Sequence, residues 1–596
     1  MDFDKKTIFA FVLIGLILIV ANTSIYQKIV DPKGYELKQQ KEKLAEQRKN
    51  EPTTVVEKAE NLKESLPIKV QPPEQMMQEY QQKLQESALL QQDAIDEKII
   101  TVETSLYKAT LSTKGASILQ WELKNYPGID GEPVRIFPKD SYGTMGLSFI
   151  TREYDSLDVS RNIYNTEAQT DIVLSKNQDY TVKFTLAIDE YRSIEKVYTF
   201  HEGVYDIGFN VSFQNMSDVI SNKRYFLSAP NGLASTEKRL KDDMMYAKAG
   251  TMSGGDIDKK FKPNGKLQKN DGIFDWVAVR TKYFAFFIIP AEEKSGTAEI
   301  IGNEYEVRPG SKDKWKKYSL KLGMPYLGEN DFTDEYTLYI GPLEYNVVKK
   351  YDKNLQDFMD FGMSLIKPFS LGILVVFKWM HKFIPNYGVV LLIFALLIKI
   401  IVYPLTHKSY ESMQKMQGIQ PKLKDLQEKY KSDPQKLNSA TMEMYKKEGV
   451  NPMGGCLPMV IQMPLLFGLF IIFRTTIELR GQGFVFWITD LSAPDTIYTF
   501  PGGFSLPLYG NTVNILPLVM GVTMFFQQKM TVTDPKQKMM VYFMPIFLTL
   551  LFNSFPAGLN LYYALFNFLT ILQQKYLTPK KAHAVQDEPV VRKRKR

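Results

Sequence analysis

The sequence predicts an α-helical, multi-pass membrane protein that carries a large all-β domain outside the membrane. Three observations support this fold class. Apolar residues collect at the N-terminus and after residue 360, the polar middle alternates with the period of strands, and positive charge concentrates in two segments of the last third. At 596 residues the chain is long enough for two or three domains.

The N-terminal segment 1–30 is predicted to be an uncleaved membrane anchor. Lys5 and Lys6 precede an apolar stretch from Thr7 to Val20. With its flanks this stretch reaches about 20 residues, the length that a spanning helix needs. A cleaved signal peptide fits the same pattern, but we expect the anchor, with its N-terminus in the cytoplasm.

The next segment, 31–99, is predicted to be a polar and largely disordered linker. Residues 31–100 include 11 Lys or Arg and 14 Asp or Glu, much Gln, and neither Phe nor Trp. Such a composition cannot bury enough apolar surface to offset the entropy of ordering the chain.

Residues 100–345 are predicted to form a β-sandwich. In YDIGFNVSF, residues 205–213, apolar side chains alternate with polar or small ones, which is the period of a half-buried strand. The stretches YTVKFTLAI (180–188) and YEVRP (305–309) repeat the pattern between segments rich in turn-forming residues. Many short strands with this spacing are typical of a large sandwich.

The distribution of positive charge predicts which loops are cytoplasmic. The segment 407–449 has nine Lys against six acidic residues, and the tail from Lys575 has eight Lys or Arg. By contrast, 480–512 has only Arg480 against two Asp. The positive-inside rule therefore places 407–449, the 527–538 loop and the C-terminus in the cytoplasm.

One apolar run, at 364–384, is predicted to lie along the membrane surface. If it crossed the membrane, the lysine-rich segment 407–449 would fall on the wrong side. Six spanning helices then remain, namely the anchor and five core helices with apolar runs at about 388–405, 456–473, 513–526, 539–552 and 559–573. The predicted order is an anchor at 1–30, a linker at 31–99, a β-domain at 100–345, an interfacial amphipathic helix at 346–385, a five-helix core at 386–579 and a basic tail at 580–596.

Within the core, the cytoplasmic segment 407–449 is predicted to form a helical hairpin. It is either a solvated charged loop or a mobile amphipathic hairpin that meets incoming hydrophobic clients. Methionine suits a surface that accepts many partners, because its side chain is flexible. The candidate client-contacting residues are Met413, Met416, Leu423 and Leu426.

Lys399 lies inside the apolar run 388–405. A charged side chain in hydrocarbon costs about 2.5–3.5 kcal/mol on insertion scales, so such a residue usually has a role. Because Lys399 lies about six residues from the cytoplasmic end of its helix, about 9 Å, it either snorkels to that surface or faces a water-filled groove and attracts negative charge.

The last apolar run carries a polar stripe with helical spacing, formed by Asn560, Tyr563, Asn567, Thr570 and Gln574. A stripe of this kind either joins helices or lines a hydrated cavity. We predict that a substrate groove contains Lys399, Gln462, Gln527, Asn560, Tyr563 and Asn567.

Nothing in the sequence favours an enzyme. The single cysteine, Cys456, excludes an intrachain disulfide, and the four scattered histidines do not have the spacing of a zinc site. We expect no metal and no cofactor. A secondary transporter would show internal repeats, and an envelope glycan-binding protein would not need five core helices, so both alternatives rank lower.

Several stretches of residues 386–575 resemble the YidC membrane-protein insertase family, among them YPLTHKSYESMQKMQGIQPKL, YKKEGVNPMGGCLPMVIQMPLLFGLF and FMPIFLTLLFNSFPAGLNLYYALFN. DWVAVRTKYFAFFIIP (275–290) resembles the family's outer domain. The resemblance implies an inner-membrane insertase of bacteria that accepts nascent membrane proteins, alone or with the Sec translocon, and releases them into the lipid bilayer. It also implies a groove arginine five residues before Pro404, where this chain has Lys399. Lysine keeps the charge but loses the bidentate fork.

The basic tail, with Lys580, Lys581 and VRKRKR at 591–596, has two interpretations. It either only fixes the topology or also binds the ribosome, because clustered Lys and Arg bind RNA phosphates non-specifically.

Overall fold

The structure, a computed structural model, describes residues 96–139, 143–151, 156–307, 314–449, 457–501, 504, 506, 509–531 and 538–577. The predicted anchor and the basic tail lie outside these residues, as do residues 31–95 of the predicted linker.

The β-domain occupies the region that the sequence predicted. Its strands are β1 (Ile99–Glu103), β2 (Tyr107–Ser112), β3 (Ser117–Pro127), β4 (Pro133–Arg135), β5 (Gly146–Thr151), β6 (Ser156–Asp158), β7 (Asp171–Val173), β8 (Asp179–Ala187), β9 (Ser193–His201), β10 (Asp206–Gln214), β11 (Ile220–Ala229), β12 (Lys248–Ser253), β13 (Asp256–Asp258), β14 (Leu267–Arg280), β15 (Phe284–Pro290), β16 (Ser295–Glu306), β17 (Lys314–Pro325) and β18 (Asp331–Pro342).

These strands form a small five-stranded sheet, in the order β4-β3-β2-β1-β7, and a large sheet of 13 strands. The large sheet follows the path β6-β5-β11-β17-β16-β14-β15-β18-β10-β9-β8, with β12 and β13 beside β14. Strand β14 connects the two halves, because residues 267–273 pair with β16 and residues 277–280 pair with β15.

The two halves of the large sheet pack their aromatic faces together. The ring of Phe213 on β10 lies 5.0 Å from the ring of Tyr225 on β11 and 6.5 Å from that of Phe149 on β5. All three side chains are fully buried, and each stabilises the domain by about 1.5–3 kcal/mol relative to exposure. This face-to-face packing confirms the predicted large sandwich.

The strand pattern of the sequence agrees with burial in the structure. Along β10 every second residue is buried, from Ile207 to Phe213. Strand β8 covers most of the predicted stretch 180–188 and alternates in the same way from Thr181 to Leu186. The stretch 305–309 is only the end of a longer strand, since β16 ends at Glu306 and residues 308–309 lie outside the described part of the chain.

The helices follow in chain order. They are α1 (Leu240–Tyr246), inside the β-domain, then α2 (Tyr345–Val348), α3 (Lys367–His381), α4 (Tyr387–Gly418), α5 (Gln420–Lys429), α6 (Pro434–Lys447), α7 (Leu457–Thr475), α8 (Ile515–Thr531), α9 (Lys538–Phe552) and α10 (Ala557–Leu572). A short two-stranded ribbon, β19 (Thr496–Thr499) and β20 (Thr512–Asn514), lies between α7 and α8.

Helices α4 and α7–α10 coincide with the five predicted core runs. Of the helices described, one contains a segment long and apolar enough to cross a membrane, at Tyr387–Pro404 in α4. Shorter apolar segments occupy Gln462–Thr475 and Val541–Phe552. A helical core is therefore present, whereas the crossing of the membrane by its other helices stays a prediction.

The predicted hairpin 407–449 differs from the structure at its start. Helix α4 does not end near Pro404 but continues to Gly418, for a total length of 32 residues. The second helix of the hairpin begins just after Asp433, whose carboxylate accepts a hydrogen bond from Lys436 N (3.1 Å), and Pro434 is the first residue of α6. An Asp cap followed by proline at the first helical position is a strong start signal.

The helical core has two distinct ends. The start of α4 lies beside the β-domain side of the core, where Gly388 touches the ring of Phe484. From there the 32 residues of α4 extend about 48 Å and lead into α5 and α6. We call these ends the domain end and the hairpin end.

Candidate functional site

Lys399 is buried between α4 and α10. Its Nζ donates a hydrogen bond to Thr570 Oγ1 (2.7 Å) and stands 4.4 Å from the centre of the Phe566 ring. The residue is 9% exposed, and within the described part of the chain no carboxylate lies within 4.0 Å of its ammonium. An ammonium has three N–H donors, so Thr570 satisfies only one of them.

The polar stripe of α10 faces the interior of the core. All its members within α10 are buried, and Gln574, just beyond the helix, is half-buried. In the part of the chain that the structure describes, several polar atoms of this surface have no hydrogen-bond partner, namely Asn560 Oδ1, Tyr563 OH, Asn567 Nδ2 and, beside them, Tyr562 OH. Buried polar groups in native proteins are nearly always hydrogen-bonded. This surface therefore favours water or a visiting polar group over dry helix packing.

A second polar contact ties α4 to α10 nearer the hairpin end. Gln573 Nε2 donates to Thr406 Oγ1 (3.2 Å), and the Thr406 hydroxyl also lies 3.1 Å from the Val402 carbonyl, as an intrahelical donor. Together with the Lys399–Thr570 contact, this gives two polar contacts along a mainly apolar helix interface.

The domain end of the core is closed by backbone hydrogen bonds. Ala557 N and Gly558 N, at the start of α10, donate to Ala493 O (2.8 Å) and Leu491 O (3.0 Å) of the α7–α8 connection. Asn553 Nδ2 adds bonds to the carbonyls of Tyr509 (2.8 Å) and Thr512 (2.7 Å). The connection is thus fixed across the helix ends.

Arg480 connects the β-domain to the domain end of the core. Its Nε pairs with Glu237 Oε1 (2.7 Å), and its other two nitrogens donate to Pro127 O (2.8 Å) and Thr236 O (3.1 Å). Burial raises the pKa of Glu237 even though Arg480 opposes the shift. The guanidinium is therefore a buried, almost fully paired structural cation.

Two more cations at the domain end have carboxylate partners. Lys378 of α3 contacts Glu344 (2.8 Å) and Glu478 (2.9 Å), and Arg474 lies 3.8 Å from Asp242. Burial alone would lower the pKa of Lys378, but the two carboxylates outweigh it and raise that pKa. This pairing distinguishes the cations of the domain end from Lys399.

The remaining predicted groove residues are distributed along other helices. Gln462 lies half-buried on α7 and Gln527 half-buried on α8. The hydrogen bond of Lys399 goes to Thr570 rather than to either glutamine. Their place in a substrate groove stays a prediction.

The predicted client-contacting residues divide between two helices. Met413 and Met416 lie on the extension of α4, where Met416 is partly exposed, and Leu426 is partly exposed on α5. Leu423 is buried, which disagrees with an exposed client-contacting surface at that position. Contact of the others with clients stays a prediction.

Two contacts of the site were not predictable from the sequence. Thr570 belongs to the polar stripe, but its pairing with Lys399, 171 residues away, has no local signal. In the sequence, Phe566 resembles any apolar residue of a helix. Nothing in its spacing predicts that its ring lies beside the ammonium of Lys399.

Family comparisons agree with this architecture. The model of the 60Kd inner membrane protein family matches residues 379–584, and that of the YidC periplasmic domain matches residues 99–370. The two matches cover the helical core and the β-domain respectively.

Relatives match over most of the chain. A membrane protein insertase YidC from Chlorobium limicola is 41% identical over 81% of this chain and 82% of its own. One from Chloroherpeton thalassium is 34% identical over 99% of this chain and 98% of its own. A solved structure of an active YidC insertase aligns with 81% of this chain and 93% of its own, at 18% identity and a TM-score of 0.35.

Proposed function

Because this chain belongs to the YidC family of membrane protein insertases, we propose that it moves hydrophobic segments of nascent proteins from the cytoplasm into the bacterial inner membrane through a hydrophilic groove marked by Lys399. The family acts as an insertase rather than as an enzyme, and the proposal needs no cofactor.

The observation that carries the proposal is the incomplete pairing of Lys399. Its ammonium contacts one hydroxyl and one ring. A permanently buried charge is normally paired and hydrogen-bonded, because burial otherwise costs a great deal. A single hydroxyl suits a cation that also meets water and, in passing, an acidic residue of a client.

The unpartnered polar atoms of α10 support a hydrated groove beside this charge. Asn567 Nδ2 and Tyr563 OH are buried without a hydrogen-bond partner in the described part of the chain. Water between the helices would satisfy them. A client's polar flank then crosses a short hydrated path instead of hydrocarbon, where each unsatisfied backbone group costs several kcal/mol.

The closed domain end supports a groove that opens only toward the cytoplasm. The bonds from Ala557 and Gly558 hold the α7–α8 connection against the start of α10, at the end of the core that we propose to be periplasmic. A client that enters from the hairpin end therefore leaves sideways, into lipid. Its free-energy gain on reaching lipid drives the transfer without ATP.

The test is insertion of one client in two matched versions, with acidic residues or with Asn and Gln in the translocated segment. Lys399→Arg should be tolerated for both versions because it keeps the charge. Lys399→Leu should impair the acidic version and spare the amide version, and Lys399→Glu should be worst for the acidic version, since like charges repel strongly at low dielectric.

Lys183→Leu is the matched control, because Lys183 is an exposed lysine on β8, outside the helical core and outside the segment 407–449. It should leave both client versions unaffected. Equal effects of Lys399→Leu on the two versions would remove the charge-attraction role and favour snorkelling.

We also propose that the chain works beside the Sec translocon and that its basic tail, 580–596, contacts the ribosome. The clustered Lys and Arg of the tail support the second proposal. Deletion of 580–596 should reduce ribosome co-sedimentation at low salt while the protein stays inserted, and undiminished co-sedimentation would contradict it.

A further inference from the structure

A tight turn in the α7–α8 connection points three apolar side chains away from the protein. Val485, Phe486 and Trp487 are 42%, 90% and 40% exposed. Phe486 also has a φ of 55°, in the left-handed region that bulky residues rarely adopt. A bulky residue keeps such a conformation only where the surrounding structure enforces it.

The turn is held by hydrogen bonds on both sides. Phe484 N donates to Ile488 O (2.9 Å), and Ile488 N donates to Val485 O (3.1 Å). Trp487 Nε1 donates to Asp495 Oδ2 (3.0 Å). The exposure of Phe486 is therefore a property of a fixed turn.

Two contacts set the depth of the turn relative to the helices. The ring of Phe484 lies against Gly388, where a Cβ would come within 2.0 Å of it, and Gly388 is the second residue of the apolar segment Tyr387–Pro404. The Asp495 oxygen that holds Trp487 also accepts from Ile515 N (3.1 Å) and Leu516 N (2.8 Å), which begin α8. The turn thus lies at the level where α4 enters the bilayer.

We propose that Val485, Phe486 and Trp487 insert into the boundary between headgroups and acyl chains of the periplasmic leaflet. Phe484, next to the turn, packs on Gly388 near the start of the apolar segment of α4. Trp and other aromatic side chains concentrate at this boundary, with apolar rings in lipid and polar edges satisfied. Here Asp495 satisfies the indole N–H.

The charge of the connection fits a lipid interface. Residues 480–512 contain one cation, Arg480, and two aspartates. Arg480 is turned toward the β-domain, where it pairs with Glu237, and Asp495 is buried at the start of α8. Asp490 is half-buried and accepts hydrogen bonds from the backbone N and the hydroxyl of Ser492 (both 2.8 Å). The exposed turn 485–487 itself carries no charge.

This insertion would anchor the part of the protein that closes the groove. Leu491 and Ala493, which accept the hydrogen bonds from the start of α10, follow the turn by only a few residues. An aromatic anchor in the leaflet would hold the closed end in the membrane plane while clients enter from the other side. The inference rests on the proposed membrane location but not on the role of Lys399.

The experiment places a spin label on the full chain in vesicles of phosphatidylethanolamine and phosphatidylglycerol. Cys456, the single cysteine, is replaced by Ser, and Phe486→Cys or Tyr191→Cys carries the label. Tyr191 is a matched control because it is a 74% exposed aromatic residue on the turn between β8 and β9. Collision with oxygen, which partitions into lipid, is compared with collision with a water-soluble nickel complex.

The label at 486 should show an oxygen-to-nickel collision ratio several-fold above that at 191. Equal ratios overturn the proposal, and protection of position 486 only after adding other membrane proteins overturns it in favour of a protein partner. If Phe486→Cys does not fold, quenching by lipids brominated near the headgroup is measured on the native chain and on Trp487→Phe. Loss of quenching in that variant supports the proposal, and unchanged quenching overturns it. The insertion assay with Lys399 variants is independent of either result.

Discussion

In the described part of the chain, the β-domain buries Lys196 and the helical core buries Lys399, each without a carboxylate in salt-bridge contact, and the two lysines are held differently. In the β-domain, Lys196 is fully buried, and its Nζ donates to the carbonyls of Gly115 (2.7 Å) and Met145 (2.6 Å). In the core, Lys399 has one hydroxyl partner and lies beside buried polar atoms that lack partners in the described residues. The first lysine is enclosed by two carbonyl acceptors, and the second has a single hydroxyl acceptor within the described residues.

We propose that this difference separates structural cations from a functional one. Arg480, where the β-domain contacts the core, is a structural cation because a carboxylate and two carbonyls surround it. Changing a structural cation should change stability, whereas changing Lys399 should change the choice of clients.

The largest expected effect is at Arg480. Arg480→Met leaves the buried Glu237 carboxylate without its partner, and removal of one member of a buried pair typically costs 3–5 kcal/mol. Because the pair joins two regions, the loss should be local, and amide hydrogens around Thr236 should exchange at least about 100-fold faster.

The double variant Arg480→Met/Glu237→Met is the control for this prediction. It removes the lone carboxylate as well, so it should recover part of the protection. If Arg480→Met exchanges its amide hydrogens at the rates of the native protein, Arg480 does not hold the β-domain against the core.

A pH-dependent effect of about 2–3 kcal/mol is expected at Lys196. Burial lowers the pKa of Lys196 to about 7, from 10.5 in an exposed lysine. Between these values the unfolded chain binds the proton and the folded chain does not, so the free energy of unfolding rises with pH. Each pH unit contributes about 1.4 kcal/mol, and the dependence ends below about pH 7, where both states are protonated.

The measurement is the urea midpoint of the full protein at pH 7 and pH 9, followed by tryptophan fluorescence. Trp121 is a suitable reporter because its ring stacks near Phe200, on the same strand as Lys196. Lys196→Met should lose the rise in midpoint, whereas Lys183→Met, at an exposed lysine on β8, should keep it. Identical pH slopes in Lys196→Met and the native protein would contradict the prediction.

Much of the fold could be predicted because its signals are local. Alternation along β8 and β10 reflects burial on one face of each strand, and the apolar runs of the core reflect the length of each helix. The pairing of strands is not local, since β10 pairs with β18 more than 100 residues later. No pattern within either strand encodes that choice.

The candidate site shows the same limit. Lys399 was predictable because a charge in an apolar run stands out, but its partner Thr570 comes from tertiary packing. Arg480 contributed to the sequence argument only as a charge outside the cytoplasm. Its pairing with Glu237, 243 residues away, depends on how the two regions pack and has no local signal in the sequence.

The smallest expected effect is at Thr570, and it sharpens the comparison most. If Lys399 lies in a hydrated groove, water can replace the neutral hydroxyl that Thr570→Val removes. Insertion of an acidic client should then fall by less than tenfold, which corresponds to about 1 kcal/mol. Thr570→Ser, which keeps the hydroxyl, should match the native protein. The alternative is a dry site, like that around Lys196. Loss of the hydroxyl would then leave a buried ammonium without an acceptor. In that case the variant should lose stability in the membrane and should insert acidic and amide clients equally poorly. Insertion of the two client versions by Thr570→Val, measured beside the thermal stability of the reconstituted protein, therefore decides whether Lys399 is held as a structural cation or stands in water.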